Sequence, residues 1–79
     1  MPNARITGNI VGAAIQKTRL KKQINQVDLS AELSVTYGIE LSQNLISKIE
    51  SGRRPVRDKE LMAIAKALGV TPDILFGIT

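Results

Sequence analysis

Three glycines punctuate this chain and limit its fold more than any other feature. Gly38, Gly52 and Gly69 each close an apolar stripe of helical period, and a fresh helix start follows each within about six residues. No stretch alternates convincingly with the period of two that marks a strand. Short helices with one apolar side can bury that side only against one another. The expected class is therefore all-α: a compact domain of five short helices with connections of about 3–6 residues.

The helices are readable one by one. The first is expected from Asn9 to Lys22, with Val11, Ala14, Ile15 and Thr18 on one stripe. Asn25 is a good cap for the second, and Asp28 suits its first turn. Ile24 before that cap can pack on Leu29, and Leu29, Leu33 and Tyr37 continue the stripe to Gly38. Ser42 caps a third helix over residues 42–51, with Leu41 and Ile46 repeating the staple and Gly52 ending it. A fourth begins at Arg57 or Asp58 and buries Leu61, Ile64, Ala65 and Leu68 before Gly69. Thr71 as cap and Pro72 at the first helical position start a brief fifth through Phe76. One domain over residues 1–79 is expected, its ordered core about 9–76.

Composition narrows the chemistry. The 79 residues include no cysteine and no histidine, which removes thiolate ligands, the commonest metal ligand and the usual general base. With no cluster of carboxylates either, no metal, no cofactor, no small-molecule ligand and no enzymatic activity are expected. Residues 8–15, GNIVGAAI, are too short to span a bilayer and lead into a basic helix. A soluble, cytoplasmic protein is the expectation. Gly8 and Gly12 form a G-x-x-x-G, but outside an apolar 20-mer that spacing carries no weight.

Net charge is +4, and it is unevenly spread. Lys17, Arg19, Lys21 and Lys22 form an acid-free cluster. Lys48, Arg53, Arg54 and Arg57 form another, with Glu50 alone inside it. Such clusters suit a polyanion or an ordinary solvated surface.

The third helix separates these readings. At 100° per residue, Leu45, Ile46 and Ile49 gather on one side and Gln43, Asn44, Ser47, Lys48 and Ser51 on the other. Glu50 lies at the border. A solvated helix usually carries mixed Lys and Glu, whereas this flank carries amides and hydroxyls. Gln and Asn pair with N6 and N7 of adenine, and Lys donates to guanine. Gly38 to Leu41 join helices two and three, which is the spacing of a helix-turn-helix whose second helix enters the major groove of duplex DNA.

Gln26-x-x-Leu29, then Ile46-Ser47-Lys48-Ile49-Glu50-x-Gly52-x-Arg54, then Leu61-x-x-Ile64-Ala65-x-x-Leu68-Gly69-Val70, together resemble the lambda-repressor-like DNA-binding domains of the Cro/C1 type, the XRE family. The likeness covers about Val11 to Phe76. It implies double-stranded DNA as partner and base-reading roles for Gln43, Asn44, Ser47 and Lys48. It implies phosphate contacts from Gln26, Ser42, Arg53, Arg54 and Arg57. Arg19 matches the family arginine that pairs with the glutamate at Glu50, a structural ion pair whose loss would strand a buried charge.

Two departures accompany the likeness. Between Gln26 and Glu50 the chain is about six residues longer than the common pattern, with the excess near Ser34 to Ile39. The stop signal at Gly38 assigns that excess to a longer helix two, with a reshaped loop as the competitor. Ser30 stands where the family favours a small alanine. Ile74, Leu75, Phe76 and Ile78 exceed what a short terminus needs, and those not sealing the core are expected to form a homodimer. The functional expectation is a nucleoid-associated, dimeric repressor of a palindromic operator. A protein-interaction adaptor on the same scaffold, antitoxin-like or coactivator-like, is the alternative.

Overall fold

A computed structural model describes residues 3–76 of the chain. Among these are five helices: α1 (Asn3–Lys21), α2 (Gln26–Tyr37), α3 (Gln43–Glu50), α4 (Asp58–Leu68) and α5 (Pro72–Phe76). Helix α1 packs across α3 and α5, while α2 is sandwiched against α3 and α4. The third helix, α3, is thus held from behind by both preceding helices.

The expected stripes meet in one core. Val11 and Ile15 of α1, Leu29 and Leu33 of α2, and Ile46 and Ile49 of α3 are all buried. Leu61, Ile64, Ala65 and Leu68 close it from α4, and Leu41 seals the turn. Burying a side chain of this size contributes about 1.5–3 kcal/mol each, offset by the entropy of ordering it.

Two boundaries differ from the sequence-based expectation. Helix α1 begins at Asn3, not Asn9. A glycine inside a helix costs only about 1 kcal/mol relative to alanine, too little for Gly8 to stop it. The same helix ends at Lys21 because Gln23 takes a left-handed φ of 60°. The Gln23 amide then donates to the Leu20 carbonyl at 3.0 Å, and the Ile24 amide to Arg19 at 3.0 Å. No glycine flags that stop.

Helix α2 runs unbroken to Tyr37, so the extra residues are helical up to that point. Gly38 turns the chain with φ 67°, and the Ile39 amide closes onto the Leu33 carbonyl at 2.9 Å. An added Cβ at Gly38 would meet nothing within 4 Å. Its requirement is the backbone angle alone. Ser30 then fastens the turn: its hydroxyl donates to the Leu41 carbonyl at 2.6 Å. The departure from alanine at this position thus supplies a bond that alanine lacks.

Gly12 is the residue whose importance the sequence hid. A Cβ placed there would overlap the carbonyl oxygen of Ile49 and sit 3.1 Å from its carbonyl carbon. Helix α1 therefore crosses α3 backbone to backbone at this point. The G-x-x-x-G spacing dismissed above contains a residue at which only hydrogen fits.

Candidate nucleic-acid interface

Helix α3 starts where Ser42 caps it, its hydroxyl oxygen accepting from the Leu45 amide at 3.2 Å. That bond uses an acceptor site and leaves the hydroxyl hydrogen able to donate outward. The cap, with Leu41 and Ile46 buried beneath it, fixes the helix so that its apolar side faces α1 and α2. The opposite side faces solvent. Gln43, Asn44, Lys48 and Ser51 are exposed there, and Ser47 is half-buried. The four residues expected to read bases therefore share one open flank.

Behind this flank lies a polar junction. Arg19 donates from Nε to Glu50 Oε2 at 2.7 Å and from Nη2 to Oε1 at 3.1 Å. Its Nη1 donates to the Ile24 carbonyl at 2.9 Å. The two side chains are 7% and 2% exposed, so the pair is shielded from water on nearly every side. Gln26 joins it, donating from Nε2 to Glu50 Oε1 at 3.0 Å. The Gln26 oxygen in turn accepts from Gln43 Nε2 at 3.5 Å. These last two contacts join α2 to α3, where the family resemblance has Gln26 brace the recognition helix.

The loop after α3 carries the arginines. Arg53 and Arg57 are exposed, and among the described residues neither they nor Lys48 pair with a carboxylate. Arg53 Nε donates to the Ser51 hydroxyl oxygen at 3.1 Å, which folds its guanidinium back along the end of α3.

Arg54 stands apart from its neighbours. Its Nη1 and Nη2 donate to the two Glu60 oxygens at 2.9 and 3.0 Å, a bidentate pair, and Nη1 also reaches the Pro55 carbonyl at 3.1 Å. Glu60 additionally accepts from the Arg57 amide at 3.0 Å, at the start of α4. The guanidinium hydrogen bonds hold the Glu60 carboxyl below the usual carboxylate range, with the Arg57 amide adding to the effect against the opposing cost of burial. The same bonds raise Arg54 above its already high value. The resemblance implies a phosphate contact from Arg54; in the fold its guanidinium is paired with Glu60 at the start of α4, with Nε and one Nη2 hydrogen outside that pairing. The available signal was Glu60, three residues after the cap position Arg57, where a glutamate reaches back to the chain.

At the other end of the molecule, the apolar cluster expected to dimerise divides. Leu75 is fully buried and seals the core, so it is not available for a contact between copies. Phe76 is half-buried, Ile74 is 42% exposed, and Ile78 lies outside the described residues. No helix among the described residues is long and apolar enough to cross a membrane.

The fold thus pairs a well-seated helix-turn-helix with an outward amide flank and flanking arginines. A sequence profile of the helix-turn-helix family matches residues 15–75, and the chain belongs to that family, in its Cro/C1-type (XRE) branch. No curated protein and no solved structure shows significant similarity to it. Membership makes it a DNA-binding regulatory domain.

Proposed function

We propose that this chain is a nucleoid-associated transcriptional repressor that binds a palindromic operator as a homodimer. Helix α3 lies in the major groove. Gln43, Asn44, Ser47 and Lys48 meet base edges there, each good bidentate pair contributing about 1–3 kcal/mol of discrimination. Gln26, Ser42, Arg53 and Arg57 hold phosphates on either side, setting affinity and register without reading sequence. Arg54 acts within this scheme as the strut that keeps the arginine-bearing loop against α4.

The single observation that carries the reading is the open amide flank of α3, bordered by exposed arginines without carboxylate partners. A dimer through Ile74 and Phe76 suits it, since one helix reads only a half-site and symmetric operators repeat it about 34 Å away. Selection of bound duplexes from random sequence tests all of this at once. Inverted half-sites one helical turn apart are expected. If six to ten phosphates are neutralised, affinity falls by about 10³–10⁵ between 50 and 200 mM salt. Sequence-blind, salt-insensitive binding beside tight capture of a protein would refute the proposal and favour the adaptor. A monomer in sedimentation at high micromolar concentration, with full operator affinity, would refute the dimer.

A further inference from the structure

Arg54 uses only one side of its guanidinium on Glu60. Nη1 and Nη2 form an end-on fork that grips the two Glu60 oxygens at 2.9 and 3.0 Å, and Nη1 also donates to the Pro55 carbonyl at 3.1 Å. The side-on edge, Nε with the second Nη2 hydrogen, meets no acceptor among the described residues. No buried side-chain nitrogen or oxygen among them lacks a partner, so the Arg54 Nε is open to solvent. Arg19 illustrates what such an edge can hold: its Nε and Nη2 grip both oxygens of Glu50 at 2.7 and 3.1 Å.

Two parallel N–H groups match two phosphate oxygens as well as they match a carboxylate. The open edge lies in the loop that carries the exposed Arg53 and Arg57. Unlike them, Arg54 is pinned by a carboxylate, and the two paired side chains are only 21% and 12% exposed. Glu60 is itself fixed, because its Oε1 accepts from the Arg57 amide at 3.0 Å at the start of α4. The direction of the open edge is therefore set by α4. With Glu60 beside it the pair carries no net charge, so it can hold a phosphate through aligned hydrogen bonds while adding little long-range attraction.

We infer that Glu60 is a positioning residue for the DNA backbone: by holding the end-on fork of Arg54, it presents the side-on edge, already aligned, to a single phosphate of the operator. The inference rests on the proposed seating of α3 in the major groove, which brings this loop to the backbone. An edge fixed to α4 finds its phosphate only on a duplex bound in register. The contact therefore favours the operator over random DNA.

The test uses the full chain, the operator obtained by selection and a random duplex of equal length, from 50 to 200 mM salt. Arg54→Lys keeps the positive charge but cannot donate in parallel pairs to Glu60 and to a phosphate. It weakens the operator about five- to tenfold and leaves the slope of log affinity against log salt unchanged. Glu60→Gln loosens Arg54 and uncovers its charge. The operator-over-random preference falls about five- to tenfold, and the slope on random DNA steepens by about 0.9. In the Glu60→Gln background, Arg54→Lys changes operator affinity by about twofold at most, because no aligned edge is left to lose. If Glu60→Gln does not melt cooperatively, Glu60→Asp takes its place. That variant keeps the charge, withdraws the carboxylate by one methylene, and lowers the preference by the same factor with the slope unchanged.

Unchanged operator affinity in Arg54→Lys overturns the inference, since the edge then touches no phosphate. So do effects of the two substitutions that simply multiply in the double variant, which mean a structural role alone. An equal loss on operator and random DNA in the Glu60 variant overturns it as well. Wild-type protein that binds all duplexes alike refutes the proposed function itself, and the inference with it. Intact sequence preference beside a neutral Arg54→Lys refutes only the role of Glu60.

Discussion

Replacing Gly12 by alanine sets two physical effects against each other with opposite signs. Helix propensity alone says the change stabilises α1 by about 1 kcal/mol. The crossing with α3 says the reverse. A methyl at this position overlaps the Ile49 carbonyl oxygen and lies 3.1 Å from its carbon and 3.4 Å from the Glu50 Cα. All three are backbone atoms, so no rotamer change relieves the overlap. The helices must part by roughly 1 Å, which forfeits a quarter to a half of each dispersion contact across the seam. Overpacking against a well-packed core typically costs about 1–3 kcal/mol, and rigid backbone places this case at or above the top of that range. Subtracting the propensity gain leaves a net loss of about 2–3 kcal/mol. For a domain of this size that lowers Tm by about 8–24 °C. Thermal melts followed by circular dichroism measure it, with the exposed Ala13→Gly as control; propensity alone gives that variant a loss of about 1 kcal/mol. A Gly12→Ala protein as stable as wild type, or more stable, would refute the backbone-to-backbone crossing.

Three further outcomes are expected. Glu60→Gln lowers stability by about 1–2 kcal/mol at neutral pH by weakening the bidentate grip on Arg54. Because the carboxyl titrates lower in the folded protein than in the unfolded chain, that contribution is complete above the usual carboxylate range and is lost as pH falls below it and through the lowered folded value. Denaturant titrations give a gap between wild type and variant that closes as the solution is made acid, and a gap constant with pH contradicts the pairing. Ser30→Ala removes the hydroxyl that holds the Leu41 carbonyl and costs about 1 kcal/mol; a melting temperature equal to wild type counts against that bond. Arg53→Ala and Arg57→Ala each reduce the slope of log affinity against log salt by about 0.9 with base preference unchanged, and a shift in preference would reassign them to base reading.

Much of this protein is legible in its residues because the signals are local. Caps at Asn25 and Ser42, the left-handed turns at Gly38 and Gly69, and apolar stripes at 3.6-residue spacing lie within a few positions of the structure they specify. The same periodicity separates the amide flank of α3 from its buried side, so the candidate base-reading residues follow from sequence. Tertiary structure alone decided the rest. Whether a glycine is a weak link or an obligatory point of contact depends on what crosses it, and Gly12 meets a helix more than thirty residues away in the chain. Whether an arginine is free for phosphate depends on which carboxylate the folded loop brings to it, and Arg54 meets Glu60. The direction in which an amide points depends on its neighbours in space, here Glu50 for Gln26 and Gln26 for Gln43. Propensity and periodicity act along the chain, while steric exclusion and charge neutralisation act through space and exist only once the helices are packed.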